Sequence, residues 1–416
     1  MNKTLKDSGV EWIGEVPQHW KIERIGNLFK LRNDKVSDLD FEPLSVTKKG
    51  IVKQLETAAK SNDHSNRKKV CVNDFVINSR SDRKLSSGIS PYNGSVSLIN
   101  IVLYCNTLEP SFINYLLKNY GFAEEFYRWG TGIVADLWST NYGRMKKILV
   151  AFPPDIEEQK KIADFLDEKV AKIDSLTEKT NISIKELKTY LQSLMFEAIT
   201  KGLNPKVKMK DTGIEWIGSI PSHWKLSKLK NIFEIKKVIA NSLGYDVLSV
   251  TQQGLKIKDI ESNEGQLSSD YSKYQIVERN DFVMNHMDLL TGWVDCSKYI
   301  GVTSPDYRVF RFKGNNEQNS NYYKFLLQAC YLNKIFYGYG QGVSNHGRWR
   351  LPTDEFLNFY IPIPSLNEQI EIANYLNEKV LKINKLISQK EKLIEGLENY
   401  KTSLIYEYVT GKKEVM

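Results

Sequence analysis

The feature that most constrains this chain is that it is written twice. Lys6-Asp7-Ser8-Gly9-Val10-Glu11-Trp12-Ile13-Gly14 returns as Lys210-Asp211-Thr212-Gly213-Ile214-Glu215-Trp216-Ile217-Gly218, an offset of 204 residues counted from position 6 to position 210. Pro17-Gln18-His19-Trp20 returns as Pro221-Ser222-His223-Trp224, and Leu44-Ser45-Val46-Thr47 as Leu248-Ser249-Val250-Thr251, at the same offset. Asn73-Asp74-Phe75-Val76 matches Asn280-Asp281-Phe282-Val283, 207 positions on from 73 to 280. Glu158-Gln159 and Glu168-Lys169-Val170 match Glu368-Gln369 and Glu378-Lys379-Val380, 210 positions on from 158 to 368. Ordered matches with a slowly growing offset are what loop insertions leave in a duplicated unit, and a repeat of this extent sets the fold before any local reading does. A chain of 416 residues has room for two to four domains.

Each copy has two parts. The first, about 150 residues by the usual domain scale, mixes short β-branched and aromatic runs with Gly, Asn and Pro. Residues 70–77, 96–104, 276–284 and 307–312 read as strands, and 112–126 and 321–336 as helices. Interspersed helices and strands make this an α+β domain. Trp20, Trp224 and the neighbouring histidines read as packing residues.

The second part is a long helix. It opens after Phe152-Pro153-Pro154-Asp155 in one copy and Ile363-Pro364-Ser365 in the other, where Asp155 with Glu158 and Ser365 with Glu368 fit a capping box. Apolar residues then follow a heptad: Leu166, Ile173, Thr180, Leu187, Leu194 beside Ala163, Val170, Thr177, Ile184, Leu191, Ala198. The second copy has Leu376, Ile383, Lys390, Leu397, Leu404 beside Ala373, Val380, Ile387, Ile394. Heptads sustained this long predict a coiled coil, with weak points at Thr177, Thr180 and Lys390. Gly202 and Gly411 mark the helix ends.

The expected layout is therefore 1–153 as a first α+β domain, 154–204 as helix one, 205–363 as a second α+β domain and 364–416 as helix two. Helices that pair within the chain must run antiparallel, giving a pseudo-twofold repeat. A helix of this length spans roughly 65–70 Å. Such a spacer suits a ligand with two reading sites on a rigid rod, and duplex DNA offers major-groove faces every turn of about 34–36 Å. It suits a scaffold for protein partners equally well. Charge does not decide: 58 basic against 50 acidic residues, net +8, permits a polyanion without requiring one. Cys71, Cys105, Cys296 and Cys330 have no metal-ligand spacing and read as reduced thiols. With no apolar leader at the start and no apolar run of about 18 residues, the expectation is a cytoplasmic protein that does not engage a membrane.

Three features together resemble a known family. They are the opening Trp12-Ile13-Gly14 with Pro17 and Trp20, the Pro-x-x-x-Glu-Gln helix starts (Pro154 to Gln159, Pro364 to Gln369), and a tail running Tyr400-Lys401, Ser403-Leu404-Ile405, Glu407, Val409-Thr410-Gly411-Lys412. Tyr190, Ser193, Glu197 and Thr200 repeat that tail in the first copy, with Lys201-Gly202 in swapped order, a change expected to have no functional consequence. The whole chain resembles the specificity subunit of type I restriction-modification systems. The resemblance implies a non-catalytic, sequence-specific DNA-binding subunit whose two recognition domains each read half of a split, asymmetric site in double-stranded DNA. It implies helical regions that set the spacer and dock two methyltransferase subunits, with restriction-translocase subunits joining them. It also implies no cofactor in this chain: S-adenosylmethionine belongs to the methyltransferase, ATP and Mg²⁺ to the restriction subunit.

The two interiors differ on one framework, so the two half-sites should differ. The first candidate reading segment is the polar loop after each Asp-Phe-Val strand: Asn78, Ser79, Arg80, Ser81, Asp82, Arg83 and Lys84, and Asn285, His286 and Asp288. Arg forks onto guanine, Asn onto adenine, and Asp accepts from cytosine. The second is the Gly-rich stretch before the last strand. It holds Arg128, Thr131, Trp138, Ser139, Asn141, Tyr142 and Arg144 in one half, and Gln341, Ser344, Asn345, His346, Arg348 and Arg350 in the other. Enzyme motifs fail by their flanks. Phe152-Pro153-Pro154-Asp155 is not a base-gripping methyltransferase motif, no phosphate-binding P-loop occurs, and Gly338 to Gly342 is not a dinucleotide fingerprint. Asp155 with Asp167-Glu168-Lys169 mimics a nuclease pattern, but Ser365 and Asn377 stand at the repeat positions.

Overall fold

The computed structural model describes residues 4–56, 65–132, 138–259, 271–314, 317–342 and 349–415, so Ser344, Asn345, His346 and Arg348 lie outside the described residues. Two compact units form: Met1–Thr180 with Glu391–Met416, and Asn181–Lys390. The helices in chain order are α1 (Ile25–Leu28), α2 (Pro110–Leu116), α3 (Tyr120–Arg128), α4 (Tyr142–Met145), α5 (Ile156–Lys201), α6 (Ser320–Leu332), α7 (Ile335–Gly338), α8 (Thr353–Asn358) and α9 (Leu366–Val409). Each unit thus holds one α+β domain, the first part of one long helix and the last part of the other.

The duplication extends to strand order. In the first unit a four-stranded antiparallel sheet runs Ser87–Ile89, Phe75–Asn78, Asn100–Tyr104, Lys30–Leu31. In the second, Val294–Cys296, Phe282–Met284, Arg308–Phe312 and Phe233–Lys236 take the same order. Phe75, Ile77, Ile101 and Leu103 join the first unit's core with Phe112, Phe122 and Phe126 of α2 and α3. Phe233, Phe282 and Phe310 do so in the second with Tyr322 and Tyr323 of α6, ring to ring at about 5 Å. The last strand of each domain pairs with an early one: Leu149–Phe152 with Lys21–Arg24, and Tyr360–Ile363 with Lys225–Lys228.

Several continuous runs in the sequence are broken in the structure. The 70–77 run is two strands, Arg67–Val70 and Phe75–Asn78, and 276–284 is Gln275–Val277 and Phe282–Met284. The repeated Asn-Asp makes each break. Asn73 and Asn280 adopt left-handed backbone, φ 68° and 70°, which asparagine tolerates better than other side chains. Asp74 and Asp281 then accept the backbone N–H of Cys71 and Glu278, each at 2.7 Å. Each aspartate also holds a cation, Arg32 at 2.6 Å and Lys236 at 2.6 Å. The 96–104 run likewise turns between Gly94–Ser97 and Asn100–Tyr104. The expected helix 112–126 is α2 and α3, because Asn119 accepts Phe122 N–H and donates to Leu116 O, ending one helix and capping the next. The expected helix 321–336 stops at Lys334, which is left-handed at φ 54°.

The repeated opening motif is the joint between domain and helices. Trp20 is 2% exposed, and its indole N–H donates to Glu158 Oε1 at 3.0 Å. Trp224 does the same to Glu368 at 2.9 Å. His19 and His223 are not core residues: both are exposed and meet the same two carboxylates at 2.9 and 2.8 Å. Next to each glutamate, a buried glutamine serves backbone on both sides. Gln159 accepts from Glu109 N and donates to Pro153 O; Gln369 accepts from Asn319 N and donates to Pro364 O. The helix that ends in each unit closes on the same tryptophan. A Cβ on Gly411 would sit 2.4 Å from Pro17 Cδ, and one on Gly202 3.1 Å from the Trp224 ring, both at positive φ, so glycine is required there. The swapped Lys-Gly order is absorbed: Lys201 donates to Ser219 O and Lys412 to Glu15 O, which are matching positions in the repeat.

Along α5 and α9 none of the expected heptad positions is exposed. The helices run antiparallel. In the first unit Phe165 stacks near Tyr408 and Lys401 pairs with Asp174 at 2.6 Å. In the second unit Leu194 and Ala198 share a core with Ile372, Ala373 and Leu376. Thr180, at an expected weak point, turns its hydroxyl back onto Leu176 O at 2.7 Å. The capping box is reciprocal only in the second copy, where Ser365 N and Oγ both donate to Glu368. In the first, Asp155 accepts from Glu157 N and has no hydroxyl to offer Glu158.

Burial alone would raise the Glu368 carboxyl, but donation from Trp224, His223 and Ser365 outweighs it and lowers the pKa to about 2, from 4.5. A carboxylate depressed on folding stabilises fully above its unfolded pKa, and that contribution is lost as pH falls through the folded value. Acid unfolding of the second unit should therefore steepen between about pH 4.5 and about pH 2. Glu368→Gln should lower the neutral-pH melting temperature and flatten that part of the curve. A variant with wild-type acid sensitivity would show that this joint does not set it.

Candidate nucleic-acid interface

In each unit the structure brings the two candidate loops together. In the first, the strand Phe75–Asn78 runs into a 3₁₀ turn at Ser81–Arg83. Arg80 bridges to Ser139, Ser139 to Thr131, and Thr140 N donates to Ser79 O at 2.9 Å. Ser81 N donates to Trp138 O at 2.8 Å. The second unit repeats this: Leu351 N donates to His286 O, Leu289 N to Trp349 O, and Gln341 bridges to Arg350. A buried tyrosine supports each junction, Tyr127 donating to Asn78 O at 2.9 Å and Tyr331 to Asn285 O at 2.7 Å. Burial pushes both phenols up, so each remains a donor at neutral pH.

Within that shared construction the loops differ in chemistry. Arg80 and Arg83 share Asp82, Nε to carboxylate at 3.3 and 3.6 Å. Arg83 is 67% exposed. Lys84 is paired with Glu124 at 2.9 Å, and Arg128 with Glu125 at 2.5 Å and Glu11 at 3.3 Å. These border a cleft of about 670 Å³ that also meets Ser81, Tyr120 and the partly exposed Trp138. Several candidates are spent on local structure. Asn78 Oδ1 accepts Arg80 N, Asn141 caps Arg144 N, and Tyr142 donates to Phe29 O. Ser79 is buried, and Thr131 is exposed.

The second unit's first loop is an internally bonded turn. Asn285 Oδ1 accepts Met287 N, and Asp288 accepts Leu290 N and Thr291 N at 3.0 Å each, plus the Thr291 hydroxyl. Burial, with Arg308 and Arg350 nearby, lowers His286 to about 4, so it is neutral at pH 7. Gln341 and Arg350 are exposed at the mouth of the second loop. Arg308 was not among the expected site residues. It is buried, donates to Leu351 O at 2.9 Å and Thr353 Oγ1 at 3.2 Å, and so ties the central sheet to the end of the reading loop. An arginine opening the buried run Arg308-Val309-Phe310 of that strand was the available signal.

The nuclease-like carboxylates are occupied: Asp167 accepts from Tyr115 OH at 2.6 Å, and Glu168 pairs with Lys172. Among the described residues no helix is long and apolar enough to cross a membrane.

Comparison with known proteins agrees with this architecture. Residues 221–396 match the family described as the type I restriction modification DNA specificity domain. The framework matched there is repeated in the first half, with the same sheet order and the same Trp, Glu and Gln contacts. It is similar over nearly its whole length to a protein of Methanocaldococcus jannaschii named as the MjaX type I restriction enzyme specificity subunit: 22% identity, 97% of this chain and 96% of that one. The MjaVIII specificity subunit of the same organism is 26% identical over 65% of this chain and 63% of its own. Two solved structures share the fold. One, from work on complex assembly and conformational transition of the type I R-M system, has a TM-score of 0.71 at 13% identity, covering 96% of this chain and 99% of that one. The other, the HsdS subunit from Thermoanaerobacter tengcongensis, has a TM-score of 0.52 at 13% identity, covering 96% and 98%.

Proposed function

We propose that this chain reads a bipartite, asymmetric sequence in double-stranded DNA, one half-site per unit, and carries two methyltransferase subunits on its long helices. The observation that carries this reading is the duplicated construction with divergent contents. Both units hold two polar loops together by the same bonds, yet the first presents Arg80 and Arg83 where the second presents a closed turn and Arg350. One scaffold with two loop chemistries suits two different half-sites. In this reading S-adenosylmethionine, ATP and Mg²⁺ belong to the partner subunits, and this chain supplies recognition alone.

The helices support two equivalent docking places. Leu176 and Tyr400 are 53% and 56% exposed in the first unit. Leu386 and Tyr190, the same two positions exchanged between copies (176 to 386, 190 to 400), are 45% and 54% exposed in the second. Large apolar side chains held in water at matching positions suit a partner that covers each set.

The test is selection of random duplex DNA by the chain purified with its methyltransferase, followed by sequencing of the bound fragments. The reading expects two short elements at fixed spacing. Recovery without sequence preference would contradict it. Arg80→Ala or Arg83→Ala should weaken binding to the selected duplex by about 1–3 kcal/mol and relax one position of one half-site. Unchanged affinity and preference would remove that arginine from the reading surface.

A further inference from the structure

We propose that the first domain seats a phosphate of the DNA backbone in a basic cleft beside its reading loops, and that the second domain has no counterpart at that place. The inference rests on the reading of this chain as a DNA-binding specificity subunit. The cleft, about 450 Å³, is lined by Arg128, Trp129, Arg144 and Lys147. Arg144 lies in α4, directly after the second reading loop, and its Nη1 donates to Trp129 O at 2.8 Å, which fixes the guanidinium on the cleft wall. Arg128 is committed to Glu125 and Glu11, so it forms wall rather than free charge. Neither Arg144 nor Lys147 has a carboxylate partner among the described residues. Two cations without a carboxylate partner among the described residues, on one concave wall, suit a tetrahedral anion. The guanidinium offers directed N–H groups and the ammonium a mobile point charge. The flanking loop residues Thr131 and Trp138 are candidates for meeting the duplex, so the anion that fits this place is a phosphate of that duplex.

The asymmetry follows from register. Leu149 pairs with Arg24, and Tyr360 with Lys228, so position 149 corresponds to 360. Buried residues agree: Met145 with Phe356, and Ile148 with Phe359. Arg144, Lys146 and Lys147 therefore correspond to Glu355, Leu357 and Asn358. An acidic and two uncharged side chains stand where the first domain has three cations, and Asp354 replaces Gly143 beside them. At that place in the second domain the cation Lys230 is tied to Asn358 Oδ1 at 3.1 Å, and carboxylates stand at the positions of Gly143 and Arg144, so a phosphate is disfavoured there. Arg350 is exposed in the second domain, but it corresponds to Ser139 on the reading loop, not to the cleft.

The experiment measures binding of the full chain, purified with its methyltransferase, to its selected duplex from about 50 to about 200 mM salt. Lys147→Gln should make the slope of log K against log salt shallower by about 0.9, the value for one lost phosphate contact on duplex DNA. The selected sequence should be unchanged. Arg144→Gln should act in the same direction, and Asn358→Gln should leave the slope as in the wild type. Lys147 is exposed, so its variant keeps the test clean even if Arg144→Gln disturbs the loop. Specific binding with a wild-type slope in Lys147→Gln, or a changed sequence preference, would overturn the phosphate seat alone. Failure of the wild-type assembly to bind any sequence specifically would overturn the functional reading, and this inference with it.

Discussion

Trp224→Ala is expected to destabilise the second unit by about 3–5 kcal/mol, the range for removing a fully buried large aromatic. The indole is 1% exposed, and its N–H is one of the donors that hold Glu368 at the start of α9. Its ring also closes against Gly202 at the end of α5. One side chain therefore fastens two helix termini to the domain, and truncation leaves a cavity, a carboxylate short of one donor and a loosened helix end. Trp20→Ala should cost about as much in the first unit, where Glu158 and Gly411 hold the equivalent places. At about 2–4 °C per kcal/mol for a unit of this size, thermal unfolding followed by circular dichroism reads the effect easily. A loss below about 0.5 kcal/mol, the scale of an ordinary surface change, would show that the repeated opening motif is not the joint described here.

The second large effect is expected on assembly. Leu176→Glu with Tyr400→Glu should remove one methyltransferase from the purified complex, and Leu386→Glu with Tyr190→Glu the other. Buried aromatic and apolar anchors at an interface center are worth about 2 kcal/mol or more each, so two together weaken association by roughly three orders of magnitude. Because these side chains are largely exposed in the chain by itself, their replacement should leave folding within about 0.5 kcal/mol of wild type. Native mass spectrometry reads the outcome directly. Each double variant should lose one partner mass and the quadruple variant both. Wild-type stoichiometry in all three would place docking elsewhere.

How much of this was legible in the sequence differs by level. The repeat carried the architecture, because the return of Trp20, Glu158 and Gln159, in the same order, as Trp224, Glu368 and Gln369 reflects one set of bonds made twice. The heptads carried the helix faces, since a seam at period 3.5 leaves little freedom in which residues turn inward. Strand and helix ends were less legible. Asn73, Asn280, Asn119 and Lys334 break runs whose apolar content reads as continuous, and the break depends on backbone conformation that composition does not report.

The candidate site was legible as two segments but not as one surface. Arg80 meets Ser139, and His286 meets Leu351, across some fifty residues or more of intervening chain, and no local pattern announces a bridge of that kind. Nor does sequence distinguish a polar residue that faces outward from one spent on a turn. Asn78, Asn141, Asn285 and Asp288 all carry base-reading chemistry, and all four bond neighbouring backbone. Arg83, paired with Asp82 and largely exposed, keeps that chemistry available.

The most direct test of the central claim is single-molecule sequencing of host DNA for methyladenine, in cells carrying this gene with its methyltransferase and in cells from which this gene alone is deleted. The account predicts a bipartite methylated motif, two unlike elements at fixed spacing, that vanishes on deletion. It further predicts that exchanging residues 1–153 for another recognition domain changes one element and keeps the other. A methylation pattern unaffected by loss of this chain, from a methyltransferase shown to be active, would contradict it.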